Sequence, residues 1–564
     1  MQKIFMIDSI SPFCRKLPKE KINWSKIPFD NLEKNEEIKK KAGRKILPVF
    51  DGYINKVCHE GYNSISLDEL QKILIFDFYN PSLKEKIKKY RNYYQKLFII
   101  AKKYKMKIFI TTDVMFYNDD IKKHLGNNII KLTDSLRNAI DELFIYFQDL
   151  IDGIIFRIGE SDGIDIKSTF KSRVIINNSN KANLFIKSIL PVFEQNKKLM
   201  IFRTWTIGIG SIGDLNWNTK RFKKVFNNIK SDNLIVSMKY GDGDFMRFYE
   251  LNQSFFIKGL NKIIELQTRR EYEGFGEIPS FVGWEYEKFH KQLLDENTFC
   301  GISVWCQTGG WSDFRRRTYH KNGSFWNRLN TFITIKMFKE NISCLEALSL
   351  FFSYDQLSDA IDFLLISEEI IKRLYYYPEF ASNTLFINRV RIPPILHIFW
   401  NNVTVNDTII SLYRNYSNNN AHSIEMGRDT LIKFKKLKNL QKKLRFDYDY
   451  DYHFDTIYIL YFIREFILTG KETLLEIIDN LIVKYYNKHK YPYKFYISVT
   501  GKKRKITDLI LKTIIRKRAK YRIIDRIIFN RLTSPLIMLL INLYKRNFPD
   551  FVNKQGMPIE KLLT

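Results

Sequence analysis

The sequence has few cysteines and lacks long apolar segments. Its 5 cysteines are scattered along 564 residues, which disfavours a disulfide framework and favours reduced thiols. Residues 1–8 lack the extended apolar core of a secretion signal, and the uncharged apolar run at 535–544 is too short to span a bilayer. We therefore expect a cytoplasmic protein, with peripheral contact at the inner membrane face as a further expectation.

Acidic residues are scarce relative to basic ones. The chain has 61 Asp and Glu against 92 Lys and Arg, a formal net charge of +31. An excess of this size favours anionic partners, which include membrane surfaces, nucleic acids and acidic sugars. The hydrophobic fraction of 45% is that of a folded protein, so a disordered polycation is excluded.

Short β-rich runs alternate with amphipathic segments up to about residue 345. The segments 90–105, 182–197 and 219–230 carry apolar residues three and four positions apart, as helices do. Strand–helix alternation predicts a parallel sheet, and eight such units predict a closed (β/α)8 barrel. The predicted strands are 4–8 (the weakest), 63–68, 107–113, 153–159, 199–206, 234–239, 263–267 and 301–307.

Beyond residue 345 the strand signals fade and helical periodicity dominates, as in 344–352, 357–375 and 473–486. The polar stretches 415–420 and 447–452 are typical of loops. The predicted fold class is therefore α/β, with a (β/α)8 TIM barrel at 1–345. A mostly α-helical C-terminal domain with a basic tail follows at 346–564.

Carboxylates, basic residues and aromatic residues follow the ends of the predicted strands. Asp244 follows strand 234–239 and Glu271 follows strand 263–267, and carboxylates at neighbouring barrel strand ends are typical of acid/base catalysis. Arginines and aromatic residues beside them suit a carbohydrate, because rings stack on sugar faces and charged groups bind hydroxyls or carboxylates. The other candidates are Glu160, Arg157, Arg203, Trp205, Lys239, Trp305, Gln307 and Trp311.

Two motifs carry a resemblance to a known family. Residues 239–245 read Lys-Tyr-Gly-Asp-Gly-Asp-Phe, and residues 265–274 read Glu-Leu-Gln-Thr-Arg-Arg-Glu-Tyr-Glu-Gly. They resemble the Lys-x-Gly-Pro-x-Asp-Phe and Glu-Phe-Gln-x-Thr-Gln-Glu-Tyr-Leu-Gly motifs of the family 67 glycoside hydrolases, the α-glucuronidases. The stretches 60–67 and 306–311 are similar to that family's second-strand entry and final-strand motif. The resemblance spans about 45–340.

The resemblance implies inverting hydrolysis of an α-linked uronic acid, without a metal or an organic cofactor. It makes Glu160 the general acid, although the family's Glu-Gly-Gln-Pro loop is absent there, and it makes Asp244 and Glu271 the base candidates. Arg157, Arg203 and Lys239 would hold the uronate carboxylate. Glu273, where the family has Leu, would add a charge beside the base.

Structural interpretations of the same residues stay open. Asp244 sits in a Gly-Asp-Gly-Asp turn, and turn formation alone is its alternative explanation. Glu271 is explained by an ion pair with Arg269 or Arg270, and Arg157 and Arg203 by strand-end ion pairs. Glu160 is explained by a solvated loop or helix-capping role, and Trp305 and Trp311 by packing.

Two further patterns point elsewhere. Residues 208–213 fit Gly-x-Gly-x-x-Gly, but helical periodicity resumes only at 219, so a glycine-rich loop over the site is expected rather than a dinucleotide site.

Residues 501–526 hold eleven Lys and Arg against two Asp, interleaved with apolar residues. Either this is a solvated helix face, or 501–545 contacts an anionic membrane. The lack of a recognisable binding module disfavours nucleic acid as a partner.

The preferred hypothesis is a cytoplasmic carbohydrate-active enzyme. The alternatives are a membrane-surface glycan-assembly enzyme, which the basic tail motivates, and a barrel that binds glycans without catalysis.

Overall fold

The structure is a computed structural model. It describes residues 3–9, 36–159, 169–206, 212–307, 324–387, 390–490, 494–500 and 505–517.

Eight parallel strands close into a barrel, which confirms the predicted fold class. The strand predicted most weakly, β1, closes the barrel: Ile4 pairs with Gly301 on one side and Met6 with Ser64 on the other. All eight predicted strands are present, with ends displaced by at most two residues. Their bounds are β1 Ile4–Asp8, β2 Ser64–Asp68, β3 Lys107–Asp113, β4 Gly153–Gly159, β5 Leu199–Thr206, β6 Leu234–Lys239, β7 Asn261–Gln267 and β8 Phe299–Trp305.

The inside of the barrel is divided into an apolar lower part and a charged upper part. Side chains alternate along each strand, so every second residue faces inward. Near the amino ends of the strands these inward positions form an apolar cluster of Ile4, Met6, Phe109, Ile155, Ile201, Ile235, Ile263 and Cys300. Two to four positions further along the same strands, the inward series continues with Asp8, Asp113, Arg157, Arg203, Lys239 and Glu265. The alternation therefore directs charge to the carboxyl end of the barrel.

Helices surround the barrel, and several begin at an asparagine. The side chains of Asn80, Asn118, Asn128, Asn178 and Asn218 each accept a hydrogen bond from a backbone N–H of the first turn. Such caps satisfy donors that the helix itself leaves unpaired. The helices are Glu36–Glu60, Pro81–Lys103, Asp119–Leu125, Ile129–Phe147, Ser179–Gln195, Thr219–Val225, Gly283–Leu293 and Phe325–Glu340, with 3-10 turns at Leu70–Lys72, Gln148–Leu150 and Gln253–Phe256 and a short sheet of Phe116–Tyr117 with Lys171–Ser172.

The region after residue 345 is mainly helical, as predicted. Two small sheets interrupt it, and their strands of two to four residues are too short for a sequence pattern to reveal. The helices are Cys344–Ser349, Tyr354–Ile370, Pro378–Ala381, Asp407–Tyr416, Asn420–Phe434, Lys436–Leu444, Tyr450–Thr469, Thr473–Lys488 and Lys505–Ile514, with a π-helix at Ile371–Tyr375. The strands are Phe386–Ile387, Val390–Arg391, Ile398–Phe399, Asn402–Val405, Tyr496–Val499 and Ile515–Arg516.

Two predicted loops are shorter than expected. A helix starts at Tyr450 inside the predicted loop 447–452, because the Asp449 side chain accepts a hydrogen bond from the backbone N–H of Tyr452 at 3.0 Å and caps it. Helices also enter both ends of 415–420, leaving only 417–419 between them.

Aromatic contacts join the helical region to the barrel. Trp326, on the helix after β8, stacks on Phe363 at 5.4 Å between ring centroids and meets Phe446 edge-on at 5.3 Å. Trp217 contacts Phe386 at 5.0 Å. The domain boundary at 345/346 stays a prediction, and the helix Cys344–Ser349 contains residues from both sides of it.

We predict that Gly301→Ala destabilises the protein strongly and that Gly52→Ala does not. A Cβ atom on Gly301 would overlap the Ile4 carbonyl oxygen, and the φ of Gly301 is +138°. Separating β1 from β8 should cost about 3 kcal/mol of unfolding free energy. A Cβ on Gly52, inside the helix Glu36–Glu60, meets no atom within 4 Å and should add about 0.5–1 kcal/mol. Thermal unfolding midpoints measure both changes. Equal midpoints for Gly301→Ala and Gly52→Ala would contradict the close contact between β1 and β8.

Candidate active site

The inward side chains at the carboxyl ends of the strands form the candidate site. Of the predicted residues, Arg157, Arg203, Lys239, Gln307 and Glu271 are buried there. Trp205, Trp305 and Asp244 are partly buried. Glu160 and Trp311 lie outside the described residues.

Both arginines expected to bind a uronate are held in buried ion pairs. The Arg157 Nε lies 2.7 Å from an oxygen of Asp113, the last residue of β3. The Arg203 Nε donates to both carboxylate oxygens of Glu265 at 2.9 and 2.8 Å. Ser237 Oγ also donates to Glu265 at 2.6 Å. These contacts match the ion-pair interpretation of the two arginines.

Asp244 has a cation and two hydrogen-bond donors that support its ionised form. It forms an ion pair with Lys239, and it accepts hydrogen bonds from the Phe245 backbone N–H at 2.9 Å and from Tyr272 Oη at 2.6 Å. Burial raises the pKa of Asp244, but the Lys239 ammonium and these hydrogen bonds outweigh burial, so the pKa lies below its ordinary value. The Lys239 ammonium also lies over Trp205, 3.7 Å from the ring centroid.

Glu271 experiences the opposite balance. Its carboxylate accepts from Gln267 Nε2 at 2.6 Å and lies 3.2 Å from Arg269 Nη2, which is one of the ion pairs considered from the sequence. Burial at 1% exposure raises the pKa of Glu271, and the negative charge of Asp244 raises it further. Arg269 opposes this shift without reversing it. Two carboxyl groups on neighbouring strand ends therefore favour different protonation states, the arrangement that separates a proton donor from a charged carboxylate.

Four acidic residues of the site were not among the predicted residues. Asp8, Asp68 and Asp113 are the last residues of β1, β2 and β3, and Glu265 lies inside β7; all four are buried. For Asp8, Asp113 and Glu265, the signal that could have found them is their inward position, two or four residues after an apolar inward residue of the same strand. Asp68 follows the inward residues Ser64 and Ser66 and lacks this signal.

Asp8 connects β1 to the rest of the site. Its carboxylate accepts from the backbone N–H of Cys306 at 2.8 Å and of Gln307 at 3.2 Å. Arg269 Nη1 donates to the Gln307 carbonyl at 2.7 Å. Burial raises the pKa of Asp8, while Arg269 opposes the shift. The first and last strands of the barrel therefore share one polar network with Glu271.

Two buried polar atoms of the site have capacity left for a ligand. Trp305 Nε1 and Gln307 Oε1 have no hydrogen-bond partner within the part of the chain that the structure describes. The Trp305 ring also lies 5.0 Å from the guanidinium carbon of Arg203. A donor and an acceptor beside an aromatic face match the groups of a sugar.

Glu273 does not act as a free charge beside Glu271, contrary to the expectation from the sequence. It is fully buried between Arg247 and Arg270, at 3.3 and 2.5 Å. Burial alone would raise the pKa of Glu273, but the two guanidinium groups lower it to about 2. Arg270 therefore pairs with Glu273 and not with Glu271.

Cys300, inside β8, and Cys306, directly after it, contact separate groups. Cys300 Sγ lies 3.2 Å from the Lys262 carbonyl oxygen, and Cys306 Sγ lies 3.6 Å from Tyr53 Oη. Within the described ranges, no group of three or more His, Cys, Asp or Glu side chains is arranged to hold a metal ion.

Comparisons with known proteins give fold similarity only. No family model matches the chain, and no curated protein matches it. Several solved structures of similar fold are glycoside hydrolases. A GH138 enzyme targeting pectin rhamnogalacturonan II shares 12% identity at a TM-score of 0.49, over 86% of this chain and 62% of that enzyme. CpGH84B shares 9% identity at a TM-score of 0.36, over 78% of this chain and 68% of CpGH84B.

The structures of similar fold also include an epimerase. A D-allulose 3-epimerase from Methylomonas sp. shares 8% identity at a TM-score of 0.34, over 61% of this chain and 99% of the epimerase. This chain spans only about three-fifths of the length of the GH138 enzyme. Similarities at this level do not assign an activity to the chain.

The other sequence patterns fall largely outside the described residues. In the glycine-rich motif 208–213 only Ile212 and Gly213 are described, and the next helix starts at Thr219 after the cap Asn218. Of the basic tail, the helix Lys505–Ile514 is described, with Leu509 67% exposed. Membrane contact through 501–545 stays a prediction. Among the described helices, none combines the length and apolarity needed to cross a membrane.

We predict different stability effects for substitutions of Glu273 and Glu271. Glu273→Gln leaves the buried Arg270 without its carboxylate and leaves Arg247 with Glu368 alone, at 3.3 Å, so it should cost about 3 kcal/mol of unfolding free energy at pH 7. Glu271→Gln should leave stability unchanged or raise it. Because the folded-state pKa of Glu271 is raised, the stability contributed by its protonated form is lost as pH rises through that pKa, and glutamine cannot ionise.

Thermal unfolding midpoints of the two variants at pH 7 and pH 4 test this prediction. The advantage of Glu271→Gln over the unsubstituted protein should be smaller at pH 4, where the glutamate gains its proton. Equal losses in both variants would contradict the assigned protonation states.

Proposed function

We propose that the protein hydrolyses a glycosidic bond at the carboxyl end of its barrel, with Glu271 as proton donor and Asp244 as the charged carboxylate. The observation that carries this proposal is the difference in surroundings on neighbouring strand ends: Asp244 is paired with Lys239 and Tyr272, whereas Glu271 is buried with Arg269 at 3.2 Å as its cation. These surroundings shift the pKa values of the two carboxyl groups in opposite directions. Glycoside hydrolysis needs one protonated and one ionised carboxyl group on either side of the scissile bond.

This assignment changes the role expected for Glu271. The resemblance to the α-glucuronidases made it a base candidate beside Asp244. A base must be ionised when it acts, and a buried carboxyl whose pKa is raised suits a general acid instead. Asp244 keeps the role of the base that activates water in an inverting reaction. Glu160 stays the alternative proton donor.

The substrate class follows from the polar and aromatic lining. Trp205 and Trp305 offer ring faces, and Trp305 Nε1 and Gln307 Oε1 offer a donor and an acceptor for hydroxyl groups. An α-linked uronic acid is the specificity that the resemblance implies. Its carboxylate would compete with Asp113, Glu265 and Asp244 for the three cations expected to bind it. Uronosides and neutral glycosides with the same aglycone must therefore be compared directly.

We predict that Asp244→Asn lowers kcat by about 10²–10⁴-fold on any glycoside that the protein hydrolyses, because the amide supplies no negative charge. The measurement follows anomeric protons by NMR over a panel of α-uronosides and α-hexosides, which also reports inversion or retention. Asp242→Asn is the matched control in the same turn. Asp242 interacts with Arg391 instead of Lys239, and its substitution should change kcat less than about 3-fold.

The result that contradicts this assignment is hydrolysis by Asp244→Asn at the unsubstituted rate. Glycan binding without turnover on every panel member would favour the non-catalytic barrel, and turnover only with nucleotide-sugar donors would favour the assembly enzyme.

We predict that the loss caused by Glu271→Gln depends on the leaving group. A proton donor matters most when the departing oxygen is basic, so the variant should lose about 10²-fold or more on an alkyl glycoside and much less on a dinitrophenyl glycoside. The ratio of the two losses is the measurement. Equal losses on both substrates would return the acid role to Glu160.

We predict that the alkaline limb of kcat/KM reports the ionisation of Glu271, with activity falling as pH rises through its raised pKa. Arg269→Gln removes a positive charge that lowers this pKa, so the alkaline limb should move to higher pH. Lys291→Gln, at a side chain 66% exposed, serves as the charge-matched control. If the alkaline limb of kcat/KM moves to lower pH in Arg269→Gln, the ionisation that causes this limb does not belong to Glu271.

A further inference from the structure

The loop after β7 carries Glu271, the proposed proton donor, in a tightly turned backbone. Arg270 and Phe275 both have a φ of +51°, in the left-handed region that side chains disfavour. Gly274 has a φ of +87°, and a Cβ there would overlap the Ile278 side chain. A backbone of this kind persists only where its surroundings hold it.

The helical region supplies part of those surroundings through one tyrosine hydroxyl. Tyr376, directly after the π-helix Ile371–Tyr375, is fully buried. Its Oη donates to Glu273 Oε1 at 2.8 Å and accepts from the backbone N–H of Arg247 at 3.2 Å. Arg464 Nη2 donates to the Tyr376 carbonyl at 2.6 Å. The hydroxyl therefore connects the loop after β6, the loop after β7 and the helical region.

A second contact reaches the same loop beside Asp244. The ring of Tyr272 lies 5.8 Å from the ring of Phe399, in the small sheet of the helical region. The hydroxyl of Tyr272 donates to Asp244. Glu271, Tyr272 and Glu273 thus follow one another in the chain, and contacts with the helical region hold the second and third of them.

We propose that Tyr376 is a positioning residue for the candidate site: acting through Glu273, it keeps Glu271 buried beside Asp244. This inference rests on the proposed hydrolysis for its kinetic consequence. Glu273 is two residues from Glu271, so a shift of Glu273 moves the intervening backbone. Outward movement of Glu271 would admit water and increase its distance from Asp244. Both changes remove causes that raise the pKa of Glu271.

The test compares two conservative variants of neighbouring buried tyrosines. Tyr376→Phe removes the hydroxyl that contacts Glu273 and Arg247. Tyr375→Phe is the matched control, because the Tyr375 hydroxyl has no hydrogen-bond partner within the described residues. Amide hydrogen exchange of peptides covering 268–276 is measured in both variants, together with kcat, KM and the pH profile on the glycoside identified by the panel.

In Tyr376→Phe we expect faster exchange in 268–276, a roughly 10- to 100-fold lower kcat with little change in KM, and an alkaline limb moved to lower pH. Tyr375→Phe should match the unsubstituted protein in all three. A purely structural role for Tyr376 would reduce the fraction of folded protein and leave the pH profile of the folded fraction unchanged, which would overturn the proposal.

Hydrogen exchange separates this proposal from the proposed function. Faster exchange in Tyr376→Phe, in a protein that hydrolyses no panel member, supports the positioning contact and rejects the hydrolase. Unchanged exchange and pH profile in an active enzyme reject the positioning contact alone. If Tyr376→Phe does not fold, Arg464→Lys takes its place, because Arg464 holds the Tyr376 carbonyl, with the same expected increase in exchange at 268–276 and the same overturning result.

Discussion

The pairing of buried charges is the constraint on which the upper half of this barrel depends. Carboxylates inside a protein lose their hydration, and burial is tolerated only where cations and hydrogen-bond donors replace water. Asp113 with Arg157, Glu265 with Arg203, and Asp244 with Lys239 meet this requirement. Glu273 is paired twice, with Arg247 and Arg270. These pairs hold the strand ends and their loops in one arrangement.

Glu271 differs from these residues because its pairing is incomplete. Arg269 contacts it at 3.2 Å but also donates to the Gln307 carbonyl, and the nearby charge of Asp244 acts against ionisation. Glu271 therefore keeps its proton at pH values above the ordinary pKa of a glutamate. The neighbouring Asp244 loses its proton at pH values below the ordinary pKa of an aspartate. Pairing with cations thus accounts for both stability and the proposed chemistry. Glu273 is fully paired and stabilises the fold, whereas Glu271 is incompletely paired and can keep a proton.

The strands and several site residues were predictable because they depend on local patterns. Apolar runs of the right length identified all eight strands, and strand ends identified Lys239 and Asp244, which form an ion pair in the fold. Asp8 was missed because its strand is short and followed by no recognisable motif. Glu273 was misinterpreted because, beside the local Arg270, its partner Arg247 is 26 residues away and its partner Tyr376 is 103 residues away. No local pattern reports such a separation.

The sequence by itself determined the strand–helix alternation, the closed barrel and the rim positions of its polar residues, because alternation and turn chemistry act over a few residues. Only the tertiary structure decided which carboxylate pairs with which cation, and hence which one keeps its proton. That outcome depends on distances and burial contributed by several strands and by the helical region together. A pKa shift in one loop is therefore a property of the whole fold.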